Sequence, residues 1–75
     1  MPHVIVKLWP GKTDEQKGRL ADAIAREVMA HLGSSESSVS VSFEDVAKED
    51  WAEQVYRPDI VAHPERVFRK PGYSM

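Results

Sequence analysis

From His3 to Trp9 the apolar residues alternate, with Val4, Val6 and Leu8 on one face and Ile5, Lys7 and Trp9 on the other. A period of two with β-branched enrichment predicts a strand. Pro10-Gly11 closes it as a turn. The period then changes. Thr13-Asp14-Glu15-Gln16 has the form of a capping box, with the Thr13 hydroxyl at the N-cap and Gln16 at N3. Behind it Leu20, Ala21, Ile24, Ala25, Val28 and Leu32 fall on one stripe, the spacing of an amphipathic helix. Gly33 stands where a left-handed residue ends such a helix. After the polar linker Ser34-Ser35-Glu36-Ser37, alternation returns from about Ser38 to Glu44. There Val39, Val41 and Phe43 share one face, and Ser38, Ser40 and Ser42 the other.

Strand, long helical crossover and strand make a βαβ unit, so the class is α/β with parallel strands and a right-handed connection. The helix is expected to cover the Val4/Val6/Leu8 and Val39/Val41/Phe43 face. The opposite face, with Ile5, Trp9 and the serines, has nothing of comparable size to cover it. Beyond Asp45 the pattern weakens. Glu49 to Tyr56 reads as a short helix with Trp51 and Val55 on one side. Pro58 and Pro64 each sit where a helix can begin, which predicts further helical turns at about Asp59–His63 and Glu65–Arg69. Lys70-Pro71-Gly72-Tyr73 reads as a turn before a short tail.

A chain of 75 residues sets one domain, residues 1–75, as the ceiling. At about 60 residues a domain buries only about 60% of its unfolded surface. A two-stranded sheet is marginal on its own. With no cysteines, disulfides and thiolate metal sites are both excluded. A partner subunit is therefore the expected means of stabilisation. The formal charge is −2 and the basic residues are scattered, which argues against nucleic acid. No apolar run approaches the ~20 residues of a membrane span, and the first residues show no signal-peptide core. A soluble, cytoplasmic protein is expected.

Candidate chemistry starts at Pro2. Initiator methionine is normally trimmed before a small residue, and Pro2 would then carry a free secondary amine. An α-amino group ordinarily titrates near 7.7–8.0, and an apolar pocket or a nearby cation lowers that value. A base poised near the working pH suits proton transfer. The pyrrolidine ring also restricts rotation, so the lone pair can be aimed. The bland alternative is that Met-Pro merely begins the chain. His3, His31 and His63 have no metal-ligand spacing. No phosphate loop or Ser-His-Asp grouping is present. Asp14 and Glu15 suit the positive end of the helix and need no catalytic role.

Pro2, the string Gly11-Lys12-Thr13-Asp14-Glu15-Gln16-Lys17 and the strand Ser38-Val39-Ser40-Val41 together resemble the 4-oxalocrotonate tautomerase family. The tail, Lys70-Pro71-Gly72-Tyr73-Ser74-Met75, is similar to that of its longer-chain, dimeric PptA-type branch. The resemblance implies keto–enol tautomerisation of arylpyruvate or 2-hydroxydienoate substrates, with no metal and no organic cofactor. It implies Pro2 as the general acid/base, Lys12 and Ser40 as substrate contacts, and Trp51 as an aromatic wall. Hexameric members place arginines at the positions of Lys12 and Ser40. Lys12 keeps the charge but not the bidentate fork that matches a carboxylate, and Ser40 keeps only a hydroxyl. An aryl monoacid is thereby favoured over a dicarboxylate.

Each residue also has a structural reading. Trp51 at helical spacing suits a packing role, and Lys12 suits a solvated turn. Ser40 suits local pairing or an interface. Lys7 near Pro2 can depress the amine's pKa by like-charge repulsion or can protect a strand edge. His3 draws interest only as the neighbour of Pro2. Two rival functions stand beside the tautomerase. One is a dimeric binding or structural module of the same fold with little or no turnover. The other is a proline-amine enzyme acting by hydration or through a covalent iminium.

Overall fold

In the computed structural model, which describes residues 1–75, strand β1 spans His3–Leu8 and β2 spans Ser40–Asp45. Helix α1, Asp14–Leu32, lies between them in sequence. The strands pair in parallel, His3 opposite Ser40 and Leu8 opposite Asp45. The expected βαβ arrangement is therefore present. Val4, Val6, Leu8, Val41 and Phe43 are half-buried, while His3, Ile5, Ser40, Ser42 and Glu44 are exposed. Helix α1 packs against β2. The Lys17 ammonium donates to Asp45 Oδ1 at 3.1 Å and ties the first turns of α1 to the end of β2. Partly exposed pairs of this kind contribute about 0.2–1 kcal/mol, so this one chiefly fixes register.

The ends of α1 are those the sequence specifies. The Gln16 N–H donates to Thr13 Oγ1 at 3.1 Å, and the Thr13 N–H donates to Gln16 Oε1 at 2.9 Å. At the other end Gly33 adopts φ 69°, ψ 23°, and its N–H donates to the Met29 carbonyl at 3.1 Å. A side chain there would meet backbone strain rather than crowding.

Three expectations need correction. The second strand begins at Ser40, not Ser38. Glu36–Ser38 forms a 3₁₀ turn in which the Ser38 hydroxyl and N–H both donate to the Ser35 carbonyl, at 2.8 and 3.1 Å. Serine offers the backbone a local partner that competes with a ladder. The helices predicted on either side of Pro58 are also not separate. A short 3₁₀ turn, Lys48–Asp50, leads into one π-helix, Ala52–Val61, that runs through Pro58. In an α-helix the proline ring would crowd the Gln54 carbonyl and leave its bond unmade. The wider π register bonds five residues back, as the Ala62 N–H does to the Arg57 carbonyl at 2.9 Å, so the Gln54 carbonyl falls opposite the Asp59 N–H rather than the proline ring. A final 3₁₀ turn covers Pro64–Arg66, shorter than the predicted Glu65–Arg69 turn. Its last N–H, from Val67, returns to the Pro64 carbonyl at 3.2 Å, so Phe68 and Arg69 lie beyond it.

Two compact units divide the chain, Met1–Asp45 and Val46–Met75. The buried apolar residues, Val46 and Val55, both belong to the second. No residue of α1 is buried. No helix is long and apolar enough to cross a membrane.

Candidate active site

Pro2 stands one residue before β1, and the ladder reaches it. The Ser40 N–H donates to the Pro2 carbonyl at 3.2 Å. Met1 is fully exposed, whereas Pro2 is half-buried. With Met1 attached the Pro2 nitrogen is an amide and has no basic lone pair. Removing Met1 leaves a secondary amine whose residue is held by its ring and by the bond to β2.

Ser40 is thus brought to Pro2 by strand register. Its side chain is engaged as well. Ser40 Oγ lies 2.7 Å from His3 Nδ1, and Ser42 Oγ lies 3.3 Å from His3 Nε2. The His3 ring therefore bridges two serines of β2 on the sheet face away from the Val41/Phe43 side. Lys7 and Glu44 are register partners further along that face.

Lys12 sits in the loop between β1 and α1 and is exposed. Gly11 before it adopts φ 115°, a conformation that L side chains rarely take, so the turn that presents Lys12 requires glycine there. No hydrogen bond links Lys12 to Pro2 or Ser40. Trp51 belongs to the second unit, at the entry to the π-helix. Its indole N–H donates to the Tyr73 hydroxyl at 2.8 Å. The Tyr73 ring packs on Tyr56 with centroids 5.6 Å apart and planes inclined at 37°. Beside these rings a groove of about 300 Å³ is lined by Tyr56, Ile60, Val67, Lys70, Pro71 and Tyr73. No group of three or more His, Asp or Glu is placed to hold a metal ion.

The link from His3 to Ser40 and Ser42 was not legible beforehand. Alternation puts all three on the face of Ile5 and Trp9, but only the register, His3 opposite Ser40, brings them into contact. Reading the two strands as parallel with Pro2 beside Ser40 is the signal that finds it.

Residues 2–58 match the family model described as tautomerase enzyme. The chain belongs to the tautomerase family. It is 48% identical over 74 residues to a probable tautomerase of Xylella fastidiosa strain 9a5c, covering 99% of this chain and 90% of that protein. It is 45% identical over 76 residues to Tautomerase PptA of Enterobacter sp. strain 638, covering all of both. To Tautomerase PptA of Escherichia coli O127:H6 it is 38% identical, again over the whole of both chains. This tautomerase is accordingly an enzyme of the isomerase class, and the resemblance read from Pro2, the capping string and the tail extends along its full length.

Proposed function

We propose that this tautomerase interconverts the enol and keto forms of 2-oxo acids, of arylpyruvate or 2-hydroxydienoate type, without a cofactor. The Pro2 amine, freed by removal of Met1, is the general acid/base. It takes the proton from the enol hydroxyl on C2 and returns it to carbon, leaving a C2 carbonyl. Lys12 attracts the substrate carboxylate, and the Ser40 hydroxyl contacts the C2 oxygen.

The observation that carries this reading is the bond from the Ser40 N–H to the Pro2 carbonyl. It joins the only residue able to present a secondary amine to the first residue of β2, with an exposed Met1 ahead of it. The match to the family also opens on Pro2. A homodimer fits the same picture. Ile5, Leu20 and Leu32 stay well exposed in the single chain, and α1 buries none of its residues. A second copy of the chain would cover such surface.

A binding module with weak turnover is favoured by one observation, the serine and lysine standing where hexameric relatives carry arginines. One assay separates the two. Conversion of an arylpyruvate enol, followed by ultraviolet absorbance, should be accelerated by the trimmed protein, and Pro2→Ala should lose about 10²–10⁴-fold. Folded Pro2→Ala protein with an unchanged rate would move the base elsewhere.

A further inference from the structure

His3, Ser40 and Ser42 form a connected group on the strand residues that follow and pair with Pro2, and the chemistry of a neutral imidazole allows that group two hydrogen-bond directions. A neutral ring has one N–H and one lone pair. It bridges Ser40 Oγ at 2.7 Å and Ser42 Oγ at 3.3 Å through its two nitrogens. One hydroxyl must therefore donate to the ring, while the other accepts from it and keeps its own hydrogen for a third group. Only one of the two directions leaves the Ser40 hydrogen available. In it the Ser42 hydroxyl donates to Nε2, the Nδ1–H donates to Ser40 Oγ, and the Ser40 hydroxyl points outward as a donor.

Ser40 is also the residue whose N–H holds the Pro2 carbonyl, so the hydroxyl belongs to the residue that pairs with Pro2 in the ladder. When the amine takes the enol proton, negative charge develops on the C2 oxygen of the substrate. A donor already oriented toward that oxygen stabilises the charge without reorganising. Donors arranged in series also polarise one another. Of the remaining groups on this face, Lys7 and Glu44 stand opposite each other further along the strands, and Ile5 is apolar.

We propose that His3 is a positioning residue, which with Ser42 orients the Ser40 hydroxyl as a hydrogen-bond donor to the C2 oxygen of the substrate. The proposal rests on the reading of Pro2 as the base. It assigns a chemical role to two residues, His3 and Ser42, that do not themselves touch substrate. It also gives Ser40 a donor's task in place of a cation's.

A mutant cycle on the trimmed protein tests it, with Pro2→Ala assayed in parallel. His3→Phe should lower kcat about tenfold and leave KM within about twofold, because the contact strengthens as charge develops. Ser42→Ala, at the far end of the series, should lower kcat by about threefold. His3→Gln, whose amide offers both a donor and an acceptor, should recover part of the loss. In a Ser40→Ala background, His3→Phe should change kcat by less than about twofold, since the group it orients is gone. If His3→Phe costs the same with and without the Ser40 hydroxyl, His3 acts as a sheet staple and the inference fails. Unchanged kcat in folded Ser42→Ala also overturns it, and this exposed substitution serves if His3→Phe does not fold. Turnover that does not depend on Pro2 would remove the parent reading and this inference together. Pro2-dependent turnover with independent His3 and Ser40 effects would remove this inference alone.

Discussion

Ser40 connects the candidate site: its N–H reaches Pro2 and its hydroxyl reaches His3. The same residue sets what the site can bind. A hydroxyl offers a substrate oxygen one hydrogen bond and no charge, and Lys12 is the only cation proposed to bind substrate. A second substrate carboxylate would find no partner, and a buried unpaired charge costs several kcal/mol. The expected outcome is a higher kcat/KM for an aryl monoacid enol than for a dicarboxylate enol. Ser40→Arg should narrow the gap. A preference of the unmodified enzyme for the dicarboxylate would mean that Lys7 or Arg57 supplies a second cation. At this scale Pro2 was legible because proline is chemically distinct at a chain start. The bridging role of His3 was not, because it depends on a pairing between residues 37 positions apart. The Trp51 bond to Tyr73 was hidden for the same reason, its partner lying 22 residues on.

Elements specified by local chemistry were read nearly to the residue. Helix α1 has a capping box at one end and a left-handed glycine at the other, and both were visible as short strings. Thr13→Ala should therefore cost about 1 kcal/mol. At fixed protein concentration that lowers Tm by about 4–8 °C for a chain of this size, measured by circular dichroism. No change would mean that the cap is fully replaced by solvent. Beyond Val46 the segment is held by contacts between distant residues rather than by caps. There the sequence suggested two helices parted by Pro58, and the chain instead forms one π-helix across it. Proline rules out a regular α-helix without saying which alternative replaces it. Ser38 and Val39 were misassigned for the opposite reason, a serine satisfying the backbone locally where alternation suggested a strand.

For the molecule as a whole, the scarcity of buried residues is the decisive quantity. Val46 and Val55 are the buried apolar residues of a 75-residue chain, at 6% and 5% exposure. A chain that buries so little by itself is expected to be folded stably only with a partner. Light scattering should report about two subunits per particle, and Tm should rise with protein concentration. A stable monomer at micromolar concentration would contradict the assembly. The class of fold was legible from periodicity alone. The expectation of a second chain rests on length and on the uncovered sheet face. The central claim concerns the amine that trimming exposes, and it is tested most directly by changing nothing else. Protein made with methionine aminopeptidase inhibited retains Met1, as intact mass will verify, and differs from the trimmed form only at the Pro2 nitrogen. The trimmed form should convert an arylpyruvate enol about 10²–10⁴-fold faster than the form retaining Met1. Equal rates for the two forms would contradict Pro2 as the catalytic base.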